Sequence, residues 1–146
     1  MKVALAQINP TVGALDSNSR KIENIIQEYS PKSDLIIFPE MCLTGYPPQD
    51  LLMETAFIAN TSKALKNIAG KVQTTPVILG TIRQEENKLF NTAAVLQNCE
   101  VIGCRDKTHL PTYDVFNEAR YFVSADSRMP VEIKVHGKSV KLGIEI

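Results

Sequence analysis

The chain has 146 residues, enough for one domain with a buried core, and its 44% hydrophobic and 22% charged residues match an ordinary folded protein rather than a disordered one. Lys+Arg and Asp+Glu each number 16, so the formal net charge is zero and nothing draws the chain electrostatically to nucleic acid or an anionic membrane. Residues 1–10 are too short an apolar run for a signal peptide, and no stretch approaches membrane-spanning length, so a cytoplasmic chain without membrane contact is expected.

Residues 3–8 form an apolar run closed by Asn9-Pro10 and read as a buried strand. Asp16 or Ser17 can cap a helix in which Ile22, Ile25, Ile26 and Tyr29 recur at helical spacing until Pro31. Residues 34–38 predict a second buried strand ended by Pro39, completing the strand–helix–strand unit of an α/β sheet. A polar loop over 44–49 leads to Asp50 as the N-cap of a second helix, which runs through Leu52, Phe57, Ile58, Leu65 and Ile68 to Gly70. Residues 76–82 predict a third strand, and 88–97 with 101–106 a hairpin around Asn98-Cys99, where Asn98 tolerates left-handed geometry. Residues 108–130 are irregular, mixing aromatics with charges. A last hairpin turns at His136-Gly137, from 131–135 into 140–146. Its Val140, Leu142, Ile144, Ile146 alternation is still running at the final residue, so a chain cut short is expected, with a terminal edge strand as the alternative.

Without an export signal, Cys42, Cys99 and Cys104 read as free thiols. Cys99 and Cys104 lack zinc-knuckle spacing and His109 lies far from His136, so no metal site is expected. Chemistry in α/β sheets gathers beyond the carboxyl ends of strands. One such end delivers Glu40 and another Lys107. A carboxylate can move protons to and from a nucleophile and leaving group, while an ammonium stabilises an oxyanion. On chemistry alone, each residue also reads as an ordinary charge at a strand end.

Leu35-Ile36-Ile37-Phe38-Pro39-Glu40 resembles the first catalytic block of the carbon-nitrogen hydrolases, the nitrilase superfamily. Arg105-Asp106-Lys107-Thr108-His109-Leu110-Pro111 is similar to the second block. Leu142-Gly143-Ile144-Glu145-Ile146 is similar to the strand opening the third, where the nucleophilic cysteine comes next. Two longer stretches, 43–52 and 110–122, resemble loops of one branch, the glutamine-dependent NAD synthetases. The likeness runs from Val3 to the last residue.

The resemblance implies an α/β fold, the nitrilase-like four-layer αββα sandwich, with only its N-terminal part present. Residues 1–146 are then a partial glutamine amidotransferase domain, without its C-terminal remainder or the synthetase domain. The implied reaction hydrolyses L-glutamine through a thioester and sends the ammonia to the synthetase domain, which uses ATP and Mg to amidate deamido-NAD. No cofactor is expected in this fragment, which contains no Gly-rich phosphate cradle, and a homo-oligomer is expected. Carried over by position, Glu40 is the general base, Lys107 the oxyanion stabiliser and Glu118 the acid that orients them. Tyr46 and Tyr113 fall at positions that help hold glutamine, with core or rim packing as their alternative. Cys42 is expected to be a buried structural thiol, and His109 to anchor the lysine loop. Lacking the nucleophile, the fragment is expected to be inactive. The alternatives are a stand-alone amidase of the superfamily and a non-catalytic remnant or assembly module.

Overall fold

The computed structural model describes residues 1–114, 116–125 and 131–142. Strands β1 (Val3–Leu5), β2 (Leu35–Ile37), β3 (Val77–Glu85), β4 (Lys88–Gln97) and β5 (Glu100–Asp106) lie side by side in chain order. The pairs β1–β2 and β2–β3 are parallel, and each needs a crossover, supplied by α1 (Leu15–Tyr29) and α2 (Thr55–Ala69). β3–β4 and β4–β5 are antiparallel and turn tightly. A separate hairpin pairs β6 (Val131–Val135) with β7 (Lys138–Leu142).

Alternation along the strands sorts two faces. Val77, Leu79, Ala94 and Leu96 join Ile22, Ile26, Leu65 and Ile68 in one apolar cluster, so this face carries the helices. Ile22, Ile36 and Ile68 are fully enclosed, and burial of such a side chain stabilises by about 1.5–3 kcal/mol. Ile37, Ile78 and Val95 pack instead with Ile133 and Val135, so the opposite face carries the β6–β7 hairpin. Helices, sheet and hairpin are thus the first three layers of the expected sandwich.

One buried amide clamps the hairpin to the sheet. Gln97 Nε2 donates to the carbonyls of Lys134 and Thr74, both at 2.7 Å, and Gln97 Oε1 accepts from the Lys134 N–H at 3.0 Å. At the same end His136 Nε2 lies 2.8 Å from Asp34 Oδ1. The Lys2 N–H, followed by His136 and the N-terminal ammonium, holds the Asp34 carboxyl below the usual carboxylate range against its desolvation.

Several local expectations change. Neither Asp16 nor Ser17 caps α1, which starts at Leu15 with Ala14 in the cap position and no side-chain cap bond. Fully buried Asn18 anchors this end instead, accepting from the Thr11 N–H at 2.9 Å and donating to the carbonyls of Thr11 and Leu43. The second predicted helix is split. Gln49–Met53 is a 3₁₀ turn, Glu54 is extended (φ −86°, ψ 107°), and α2 starts at Thr55. Tyr121 donates to Asp50 Oδ1 at 2.6 Å, drawing its carboxylate away from a cap, while Leu52 is buried among Met41, Ile82 and Phe122.

β3 continues past Ile82 to Glu85 and pairs with β4 along its length. The turn falls at Glu86 (φ 53°), and without a glycine it carried no hairpin signature. Asn98 (φ 53°) and Cys99 (φ 64°) make the left-handed turn foreseen between β4 and β5. His136 (φ 49°) and Gly137 (φ 74°) make the last one, although β7 begins at Lys138 rather than Val140. Residues 143–146, with the predicted third strand end, lie outside the described residues. No helix among the described residues is long and apolar enough to cross a membrane.

Candidate active site

β2 hands its last residues to a tight turn. The Phe38 N–H still donates to the Ile78 carbonyl at 2.9 Å, but Pro39 has no N–H to continue the ladder. Met41 adopts φ 47°, and the Gly45 N–H closes back onto the Met41 carbonyl at 2.8 Å. The turn crosses β3 at Gly80, where an added Cβ would fall 2.6 Å from both Glu40 Cα and Met41 N. Gly45 (φ 76°) makes a similar close approach, 2.6 Å from an added Cβ to Val12 Cα. Glycine therefore fixes both ends of the segment that presents Glu40.

β5 ends at Asp106, and the Lys107 N–H donates to the Asn91 carbonyl of β4 at 2.8 Å. Its carbonyl accepts from the Ala125 N–H at 3.2 Å, and Ser124 Oγ donates to the Thr108 carbonyl at 2.5 Å. These bonds anchor the lysine loop. His109, expected to do so, is exposed and has no hydrogen-bonding partner among the described residues.

The structure brings Glu40, Lys107, Glu118 and Tyr46 together. Lys107 Nζ lies 2.9 Å from Glu40 Oε1, 3.1 Å from Glu118 Oε1 and 3.0 Å from Glu118 Oε2. Only Oε1 of Glu118 accepts a well-aligned hydrogen bond; Oε2 is within ion-pair distance without that alignment. Tyr46 Oη donates to Glu118 Oε1 at 3.2 Å. Glu118 opens the 3₁₀ turn Glu118–Arg120 and is 5% exposed.

Burial alone would lower the Lys107 pKa. The hydrogen bonds and charges of Glu40 and Glu118 outweigh it and raise the ammonium above the ordinary lysine value. Opposite unit charges about 4 Å apart attract by about 4 kcal/mol at an effective dielectric of about 20, so a pair of carboxylates readily overcomes partial desolvation. The Tyr46 phenol is also raised, first by desolvation and then by the neighbouring Glu118 charge.

Tyr113 does not join this polar cluster. Its ring is 70% exposed and meets Phe116 edge-on at 5.5 Å, and Phe116 lies 6.5 Å from Tyr46. These loops enclose a cavity of about 430 Å³, lined by Met41, Tyr46, Phe116, Glu118 and Tyr121 among others, a size suited to a small ligand. A larger cavity of about 680 Å³ lies between α1 and α2. Neither cavity is lined by Glu40 or Lys107, but the smaller one is lined by Glu118 and Tyr46, which belong to the charged cluster. Convergent polar groups, rather than volume, locate the chemistry.

No thiol joins the cluster. Cys42 is fully buried in the core between helices and sheet, its Sγ donating to the Gly80 carbonyl at 3.4 Å. Burial pushes its thiol up to about 12 despite that bond. Cys104 packs against the helix-side core, and burial raises it too. Cys99 is in the exposed turn at the opposite end of β5 from Lys107.

Asn91 was missed in the sequence. It is 4% exposed within β4, and its Nδ2 donates a short hydrogen bond to Glu40 Oε1. An asparagine in the middle of a largely apolar strand was the available signal, because the residue suits strands poorly and is costly to bury unpaired.

The chain spans about a quarter of the length of the curated relatives it matches. It is 40% identical over 145 residues to the glutamine-dependent NAD(+) synthetase of Aquifex aeolicus (strain VF5), covering 99% of this chain and 25% of that protein. With the corresponding synthetase of Synechocystis sp. it shares 39% over 153 residues, covering 99% and 27%. Among solved structures, the Acinetobacter baumannii glutamine-dependent NAD+ synthetase in complex with ADP superposes with a TM-score of 0.84 at 33% identity, covering 96% of this chain and 26% of that one. An amidase from Nesterenkonia sp. shares the fold, with a TM-score of 0.77 at 18% identity, covering 97% and 54%. The carbon-nitrogen hydrolase family model matches residues 2–146, and with its α/β nitrilase-like fold the chain belongs to the carbon-nitrogen hydrolase family.

Proposed function

We propose that this chain is part of the glutaminase domain of a glutamine-dependent NAD synthetase, supplying the base and the oxyanion cation for glutamine hydrolysis. The observation that carries this reading is Lys107 Nζ held between Glu40 and Glu118, beside the cavity walled by Tyr46 and Phe116.

In the proposed reaction, Glu40 takes the proton of a thiol and the thiolate attacks the amide carbon of glutamine. Lys107 stabilises the negative charge that develops on the amide oxygen. As the C–N bond breaks, protonated Glu40 returns its proton to the departing nitrogen, leaving a thioester and ammonia. Glu40 then takes a proton from a water whose oxygen attacks the thioester carbon. As the C–S bond breaks, Glu40 returns that proton to the departing sulfur, releasing glutamate and restoring the thiol and the carboxylate. Glu118 keeps Lys107 charged and oriented. Tyr46 lines the substrate's approach, with Tyr113 at its outer rim.

The buried or distant positions of Cys42, Cys99 and Cys104 support a nucleophile supplied from outside residues 1–146, so these residues alone are proposed to be inactive. ATP and magnesium belong to the synthetase part of the proposed protein. Among the described residues, no group of three or more acidic, histidine or cysteine side chains could hold a metal ion. The test is glutamate release from glutamine by the full-length protein, coupled to amidation of deamido-NAD. The expected result is release that free ammonia replaces in the coupled reaction. Coupled synthesis from ammonia with no use of glutamine would contradict the reading.

A further inference from the structure

We propose that Asn91 is a positioning residue that assigns separate tasks to the two oxygens of Glu40, holding Oε1 and presenting Oε2 as the proton acceptor. The inference rests on the reading of Glu40 as the base.

Both donors that reach Glu40 use the same oxygen. Asn91 Nδ2 and Lys107 Nζ, the latter at 2.9 Å, address Oε1, and among the described residues Oε2 accepts no hydrogen bond. The Glu40 side chain is 47% exposed, so Oε2 has room to face a reacting group. A carboxylate with one oxygen occupied by two donors takes a proton most readily on the other, whose lone pairs are free.

Asn91 is built for this task at both ends. Its side chain reaches Glu40, and its carbonyl accepts from the Lys107 N–H at 2.8 Å. One residue therefore locates the base through its amide and the start of the lysine through its backbone. β4 also places it suitably: Asn91 pairs with Ile82, one alternate step from the Gly80–Ala93 pair over which the Glu40 turn passes. The neighbouring acceptor fixes the amide's orientation, since only the NH₂ group can donate to a carboxylate.

The amide's chemistry suits a cycle in which the base changes charge. An asparagine side chain does not titrate, so it can donate to Oε1 when Glu40 is ionised and continue when Oε2 carries the proton. A histidine or lysine at the same place would couple its own proton to that of the base. Burial of Asn91 at 4% exposure keeps water from replacing it on Oε1.

The experiment measures glutamine hydrolysis by the full-length protein carrying Asn91→Asp or Glu40→Gln. Asn91→Asp keeps the shape but replaces the donor with a second acceptor. We expect kcat to fall about 10–100-fold with KM changed by less than about threefold, as for loss of a group that orients another. Circular dichroism should match the parent protein. If Asn91→Asp fails to fold, Asn91→Ser, whose hydroxyl stops short of Oε1, provides the same kcat-against-KM test. Glu40→Gln separates the two readings. If it loses glutamine turnover while both Asn91 variants keep the parental kcat, the assignment of Asn91 is overturned and Glu40 remains the base. If Glu40→Gln keeps its turnover, the reading of Glu40 fails and the Asn91 assignment fails with it. Equal worsening of kcat and KM in the folded Asn91 variants would make Asn91 a structural residue and also overturn the proposal.

Discussion

Gly80 lies directly beneath Glu40, with an added Cβ falling 2.6 Å from the Glu40 Cα. The bare backbone of β3 lets the turn after β2 settle onto the sheet, so the position of the carboxylate depends on a residue forty places away in the sequence. Gly80→Ala should push this turn off the strand. The expected cost is about 1–3 kcal/mol of stability, typical of forcing atoms into a packed site. Urea denaturation with a parallel glutaminase assay of the full-length protein checks both effects. A variant with parental stability and turnover would show that the close approach is not needed.

Lys107 carries the clearest pH dependence. Its pKa is raised in the folded state, so its contribution is complete below the unfolded lysine value and is lost as pH rises through the higher folded value. Lys107→Met should destabilise by about 2–3 kcal/mol near neutrality, because it leaves Glu118 buried without its partner. The lysine is 31% exposed, which places the expected cost below that of a fully enclosed pair. Denaturation curves should show a constant gap between parent and variant up to about pH 10, shrinking above about 10.4. A gap that widens in alkali would reverse the assigned sign.

The cysteines should differ sharply in reactivity. Cys42 is fully buried with its thiol raised to about 12, whereas Cys99 is exposed. Brief treatment of the folded protein with iodoacetamide at about pH 8 should modify exposed Cys99 first and leave buried Cys42 protected. Mass spectrometry of the digested protein reads the order. Early labelling of Cys42 would place that thiol at an open site and revive it as a nucleophile.

Gln97 ties the β6–β7 hairpin to the sheet, and replacing it by Met leaves the Lys134 N–H and carbonyl without these bonds. Loss of such part-buried bonds costs about 0.5–1.5 kcal/mol each. Hydrogen exchange at the Lys134 amide should accelerate more than exchange within β4, as expected for local detachment. Equal acceleration throughout the sheet would make the hairpin inseparable from the main core.

Much of this arrangement was legible in the sequence because its signals were local. The apolar run broken by Pro39 marked a buried strand, whereas the run before Asn9-Pro10 gave only Val3–Leu5, with Leu5 76% exposed rather than buried. Residues around Glu40 and Lys107 carried the resemblance that joined them to Glu118 and Tyr46. The missed features depend on contacts distant in sequence. Asp50 looked like a helix cap until Tyr121 claimed its carboxylate, and Asn91 had no visible role without Glu40 folded against it. The Glu86 turn lacked a glycine to announce it, and its left-handed backbone is maintained by the long pairing of β3 with β4.

The proposed role of Glu40, with Lys107 beside it, is to drive the release of ammonia from glutamine. Its most direct measurement compares NAD formation from glutamine and from free ammonia by the full-length protein carrying Glu40→Gln. The predicted result is a loss of about 100-fold or more with glutamine, with synthesis from ammonia preserved. Parental use of glutamine, or equal loss with both nitrogen sources, would contradict that role for Glu40.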